Sequence, residues 1–356
     1  MMHTDRGKVV MGVRQCGKSY LVFKLFKYYL LSHGVAEAQI FEMAFDHYGN
    51  RRYRDPKLFY PHVNAAISDG RYHCVLLDEV QLLGNFEEIL IELVAQDNVD
   101  VYATGSNARL LSKDIVTEFR SRGDEIRMTP LSFSEFMPTY NGDEEHGWQS
   151  YISYGGLSTI ALMEDPKDKA EYLTRLFSGI YISDIVEREK VRNTRALEEL
   201  LDVIASTVGS LTNPSKISRA FKSVTGMTID PETVSNYIGY LSDAFLLERA
   251  KRYNVRGRHY IGTPHKYYFT DLGLRNARLG FRQVEQTHLM ENAIYNELRG
   301  RGYVVDVGMV QVSERDGNGK ARRRQLEVDF VCNRGSKRVY LQSAYDIPDA
   351  EKLAQE

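Results

Sequence analysis

Three cysteines in 356 residues (Cys16, Cys74 and Cys332) are too scattered and odd in number for a disulfide framework, and they match no metal-ligand spacing. A reducing compartment is expected. Long apolar runs are also missing: Lys24 and Lys27 interrupt the longest one, and no secretory leader opens the chain. The reading is therefore cytoplasmic, without membrane association. Nor is there an excess of either charge, since 46 Lys and Arg against 48 Asp and Glu leave a net charge of −2. Any attraction to nucleic acid must come from local patches. What is present, 43% hydrophobic and 26% charged residues, describes a globular chain. Its length exceeds one ordinary core and predicts two to four units.

The strongest local signal is Gly12-Val13-Arg14-Gln15-Cys16-Gly17-Lys18-Ser19. It fits the phosphate-binding loop G-x-x-x-x-G-K-[ST] at every fixed position, after a short apolar run Lys8 to Met11 and before a helical pattern from Tyr20 to Leu31. Gly12 and Gly17 free the backbone to turn successive N–H groups on a phosphate. Lys18 carries a mobile charge for the β- and γ-phosphates, and the Ser19 hydroxyl suits Mg²⁺. Gly12 to Tyr20 is the expected nucleotide-binding run.

Downstream, Cys74-Val75-Leu76-Leu77 reads as a strand buried on both faces and ends in Asp78-Glu79. Asp78 is the expected second Mg²⁺ residue, and Glu79 the residue that orients or deprotonates the attacking water. A third strand, Val99 to Thr104, ends in Gly105-Ser106-Asn107. Ser106 and Asn107 are both candidates to reach the γ-phosphate or the water. The same residues are ordinary turn formers.

Thr104 to Ser112, Phe119-Arg120-Ser121-Arg122 and Pro130 to Phe136 resemble prokaryotic AAA-type ATPases that carry a C-terminal domain called DUF4143. Tyr154-Gly155-Gly156-Leu157, His265 to Arg275 and Glu327-Val328-Asp329-Phe330 agree with it. The resemblance implies an α/β chain with a RecA/AAA-like parallel sheet at 1–138, a helical lid at 139–194, a winged helix at 195–272 and a nuclease-like α+β domain at 273–356. It leaves both Arg120 and Arg122 open as the arginine that reaches a γ-phosphate, in its own or a neighbouring subunit; Arg122 joins the candidate catalytic residues. The second arginine that the family often carries in its loop is Gln15 here.

Asn141 to Gly147 reads as a polar linker, and Trp148 to Lys190 as helical. Leu197, Leu200, Leu201 and Ile204 line one helix face; Asp230-Pro231-Glu232 opens another helix, with Ser235 and Asn236 turned outward. Arg249 to Lys266 holds six cations and no acid. A winged helix would bring Ser235, Asn236, Arg252, Arg256 and Arg258 to duplex DNA. Such modules also dock proteins.

The metal-dependent nuclease pattern needs an acid on a helix, an acid on a strand, and an acid and a lysine on the next strand. Glu291 and Asp329 fit the first two; Gln342 and Ala344 stand where the last two are expected. The site reads as degenerate and the domain as incomplete. The expected function is Mg²⁺-dependent ATP hydrolysis coupled to the C-terminal units, with ATP/ADP, duplex DNA, and a further copy or another protein as candidate partners. Two other readings stand beside it: a DNA-binding regulator with ATP as a switch or structural ligand, and an ATP-dependent nuclease.

Overall fold

The computed structural model describes residues 7–107, 123–226, 228–282, 286–315 and 321–345. Two units separate: Met1–Thr129 with Asp243–Phe245, and Pro130–Ser242 with Leu246–Glu356.

The first unit is built on β1 (Gly7–Met11), β2 (Ile40–Ala44), β3 (His73–Asp78), β4 (Val99–Gly105) and β5 (Gly123–Arg127), in the order β2-β3-β4-β1-β5. All four pairings are parallel. β1, β3 and β4 are buried along their whole length, as strands covered on both faces are, with Lys8 of β1 and Asp100 of β4 as buried charges. The helix after the loop is continuous but irregular. α1 (Lys18–Tyr20) passes through a π-helical run, Leu21–Phe26, into α2 (Lys27–Ser32). Val22 packs from it onto Val10, Leu76 and Tyr102 of the sheet. α3 (Pro56–Ala66) starts where Asp55 accepts the Lys57 N–H and Pro56 takes the first helical position. α4 (Phe86–Val94) follows β3.

The order has a direct consequence. β4 lies between β1 and β3, so the carboxyl ends of the strands before the loop, before Asp78-Glu79 and before Ser106 stand side by side. In open parallel sheets that edge is where ligands bind.

The second unit contains α5 (Phe133–Phe136), α6 (Glu144–Tyr154), α7 (Ser158–Ala161) and α8 (Pro166–Arg175), then a π-helical run, Leu176–Ile182, into α9 (Ser183–Arg188). The polar stretch read as a linker is partly helix, because Asp143 caps α6 by accepting the His146 N–H. α10 (Thr194–Ser206) buries Leu197, Leu200, Leu201 and Ile204, each contributing about 1.5–3 kcal/mol. α11 (Pro214–Thr225) and α12 (Pro231–Asp243) follow, the latter with Asp230 accepting the Thr233 N–H at 2.9 Å.

β6 (Leu247–Asn254) and β7 (His259–Phe269) form the hairpin that carries the basic run. It joins β8 (Val304–Arg315), β9 (Ala321–Arg334) and β10 (Lys337–Leu341) in one sheet of order β10-β9-β8-β6-β7. That sheet draws strands from both sides of α13 (Leu272–Arg278) and α14 (Gln286–Gly300). Asn292 of α14 satisfies the end of edge strand β7. Its Oδ1 accepts the Phe269 N–H at 2.9 Å, and its Nδ2 donates to the Phe269 carbonyl at 2.7 Å.

The stretch Thr270 to Arg275 is joinery. Asp271 Oδ1 accepts the Leu274 N–H at 3.0 Å, and Oδ2 accepts the Gly156 N–H at 2.8 Å. A Cβ on Gly273 would lie 2.0 Å from the Tyr154 carbonyl oxygen, and one on Gly156 would lie 2.1 Å from that of Leu131. Arg275 Nε donates to the Ala205 carbonyl at 2.8 Å. These residues pack helices against one another without exposing any chemistry.

Candidate nucleotide site and a second charged cluster

The turn from β1 into α1 places the predicted loop at the carboxyl edge of the first sheet. Gly12 and Gly17 have φ of 157° and 99°, and Gln15 has a positive φ of 63°. A Cβ on Gly12 would stand 2.0 Å from the Met128 carbonyl oxygen, so close backbone approach requires glycine there. Val13 and Cys16 are buried beneath the loop, with Arg14 and Gln15 at its tip. Burial pushes the Cys16 thiol above its ordinary pKa despite the nearby Lys18 charge, and its Sγ contacts the Met128 carbonyl at 3.7 Å. It is a packing residue, not a nucleophile.

Lys18 is folded onto its own loop, donating to the carbonyls of Gly12 at 3.0 Å and Val13 at 2.9 Å. The Ser19 hydroxyl donates to Asp78 Oδ1 at 3.0 Å. A hydroxyl and a carboxylate meeting in this way are the hard oxygen donors that Mg²⁺ takes. The loop and its donor set thus fit a Mg²⁺-nucleotide.

Thr104, at the end of β4, ties the acidic pair together. Its hydroxyl donates to Asp78 Oδ1 and accepts the Glu79 N–H at 3.2 Å. Glu79 is left-handed, with a φ of 51°, a conformation that costs a non-glycine residue about 1–2 kcal/mol. It aims the carboxylate at Ser106, whose hydroxyl donates to Oε2 at 3.0 Å, and Gln81 Nε2 donates to the same oxygen. Of the two candidates at the end of β4, Ser106 reaches Glu79, and Asn107 is buried just beyond it. Beside Ser19 and Asp78 opens a cleft of 640 Å³, lined by Tyr20, Lys24, Lys27, Glu42 and His47. Arg120 and Arg122 lie outside the described residues.

The sequence assigns Thr104 no role beyond the end of a strand, and Gln81 none at all. Neither belongs to a fixed pattern, and both acquire a role only when β3 and β4 pair. A hydroxyl at the end of the strand beside Asp78 was the one available signal.

In the second unit the nuclease-like residues do come together, with an addition. Lys266 Nζ of β7 lies 2.9 Å from Glu291 Oε1, 2.8 Å from Glu327 Oε1 and 3.5 Å from Asp329 Oδ1. The Tyr268 hydroxyl donates to Glu291 at 2.6 Å. Burial alone would depress the Lys266 ammonium, but the charges of Glu291 and Glu327 outweigh it and hold the pKa above its ordinary value. A lysine of β7 thus stands beside both acids of the nuclease pattern. Gln342 lies just past β10, and its Oε1 accepts the Asp329 N–H at 3.1 Å.

Among the residues read as contacting DNA, Ser235, Asn236, Arg256 and Arg258 are exposed. Arg252 is 8% exposed and is withdrawn from that surface. The run of six cations therefore loses two, Arg252 and Lys266, to the interior. No helix of the described residues is long and apolar enough to cross a membrane.

Two family models match the chain: an AAA domain over residues 4–137 and a domain of unknown function, DUF8612, over 145–285. The second corrects the expectation of DUF4143. An uncharacterised protein of Haemophilus influenzae is 32% identical over 352 residues, covering 97% of this chain and 84% of its own length. A second, from Methanocaldococcus jannaschii, is 26% identical, with coverage of 97% and 76%. The solved Aeropyrum pernix ORC1 protein in complex with DNA aligns over 77% of this chain and 86% of its own, at 14% identity and a TM-score of 0.31. Global likeness at that level carries no argument about function.

Proposed function

This chain belongs to the same family as its Haemophilus influenzae relative and begins with an AAA domain; on that premise we propose that it binds ATP with Mg²⁺ and hydrolyses it. The observation that carries the reading is the Thr104 hydroxyl, which joins the carboxylate of Asp78 to the backbone of Glu79 beside Ser19.

In this reading Lys18 leaves the carbonyls of Gly12 and Val13 and turns to the phosphate oxygens, joined by the backbone N–H groups of the loop. Ser19 and Asp78 would hold Mg²⁺, which when bound would supply charge to offset that of the terminal phosphates. Glu79 orients the attacking water and accepts its proton, while Ser106 and Gln81 fix the carboxylate. The DNA-binding and nuclease readings of the second unit stay proposals. For a winged helix, α11, α12 and the β6–β7 hairpin are the pieces at hand, although that hairpin shares its sheet with β8–β10.

Steady-state hydrolysis with Mg²⁺, with and without duplex DNA, tests the reading against Lys18→Ala and Glu79→Gln. Turnover lost in both variants supports it. If the intact protein binds ATP but turns over no faster than Glu79→Gln, ATP is a switch or structural ligand instead.

A further inference from the structure

Two segments far apart in sequence meet in the second sheet, and both are basic. Residues 249–263 expose Arg249, Lys251, Arg256 and Arg258, with Arg252 buried, and hold no acid; residues 331–345 hold Arg334, Lys337 and Arg338 without one. In a chain of net charge −2, that is a local concentration of one sign.

Aromatic rings stand among these cations. Arg338 of β10 lies over the Tyr253 ring of β6 at 5.3 Å, and Lys251 lies over the Tyr260 ring of β7 at 5.7 Å. The two rings meet edge-on, with centroids 5.4 Å apart. Tyr260 is 55% exposed and Tyr340 of β10 is 47% exposed. Open rings and cations side by side are the two kinds of group that a single nucleic-acid strand engages, its bases on the rings and its phosphates on the charges. The carboxylate within the group is Asp306, which is buried and accepts the Tyr260 hydroxyl at 3.1 Å. It positions the ring and offers little negative charge to solvent.

We propose that this patch, centred on Lys251, Tyr253, Tyr260, Arg338 and Tyr340, binds single-stranded nucleic acid. The cations track phosphates, and the open rings stack on bases, which in a duplex are already stacked on one another. An acidic peptide would satisfy the cations but has no flat rings for Tyr260 and Tyr340. The site differs from the helix-in-groove arrangement expected from Ser235 and Asn236, and it does not depend on the ATPase reading.

The test uses the full chain and fluorescence anisotropy with a labelled 20-nucleotide dT strand and a 20-base-pair duplex. The strand is expected to bind about 10-fold tighter or more, since stacking contributes roughly 1–3 kcal/mol per base. Lys251→Ala with Arg338→Ala should weaken it about 10-fold or more. The same pair should reduce the slope of log K against log salt by about 1.4, at about 0.7 per phosphate contact. Tyr340→Ala should weaken binding without changing that slope, which separates stacking from charge. Tyr340 holds no buried polar group, so this variant is expected to keep its fold, as checked by thermal melting. Preference for the duplex, equal competition by oligo-glutamate of matched charge, or unchanged binding by the folded variants would each overturn the proposal.

Discussion

Lys266 Nζ and Glu291 Oε1 are 2.9 Å apart, and this contact fastens edge strand β7 to helix α14. With Glu327 and Asp329 also within 3.5 Å, one ammonium serves three carboxylates in a largely buried place. Lys266→Met should destabilise the protein by about 3–5 kcal/mol at pH 7.5, because the acids lose their shared cation. Urea denaturation measures this. In the variant the carboxyl pKa values rise, so the stability deficit should shrink as pH falls toward 5. A deficit that is the same at both pH values would refute the assignment. Asp329 and Gln342 remain the test of the nuclease reading. We expect no Mg²⁺- or Mn²⁺-dependent plasmid nicking, and nicking abolished by Asp329→Ala would reverse that view.

Glu79 and Ser106 make separable predictions in the ATPase assay. Glu79→Gln should lower kcat by about 100-fold or more while leaving ATP binding in place, as expected for loss of a general base. Ser106→Ala keeps the carboxylate and leaves Gln81 as its remaining donor, so a smaller loss, about 10-fold in kcat, is expected. A Ser106→Ala loss as large as that of Glu79→Gln would place Ser106 on the reacting atoms.

Asp271 predicts a pH dependence of stability. Burial pushes its carboxyl up to about 6, against the pull of the Gly156 and Leu274 N–H groups. The folded state therefore holds the proton more tightly than the unfolded chain, whose carboxyl titrates near 4. The corresponding stability is complete below about pH 4 and is lost as pH rises through 6, amounting to about 3 kcal/mol at 1.36 kcal/mol per unit. Asp271→Asn should be destabilised overall, since an amide turns a donor toward backbone donors, and it should lose this slope. Denaturation midpoints between pH 4 and 7 check both.

Lys8 and Asp100 form a buried pair inside the first sheet at 3.2 Å. Lys8→Met alone should cost about 3–5 kcal/mol, and Lys8→Met with Asp100→Leu should recover most of it. Thermal denaturation of the two variants distinguishes pairing from simple loss of side-chain volume.

Elements whose signal is local were legible in the sequence. The loop, the buried strands and the capped helix at Asp230 fell where the residues placed them, because periodicity and capping act within a few residues. What was not legible depended on pairing between distant segments. Lys266 read as one more cation of a basic hairpin, since nothing near it in sequence announces three carboxylates. Arg252 misled in the same way. Gln342 shows no signal in the sequence for its contact with the Asp329 N–H, which arises only when the end of β10 meets β9. Thr104 was invisible because its two partners come from the neighbouring strand.

That one hydroxyl limits how the proposed ATP site can change. Asp78 and Glu79 have different tasks, yet both are referenced to the same oxygen on β4. If Asp78 holds the metal and Glu79 the water, as proposed, sliding β4 against β3 by a residue would misplace both together. The pair behaves as a single gauge: a perturbation anywhere along β4 should register as coupled losses in Mg²⁺ affinity and turnover, and a variant that alters only one of them must act from somewhere else.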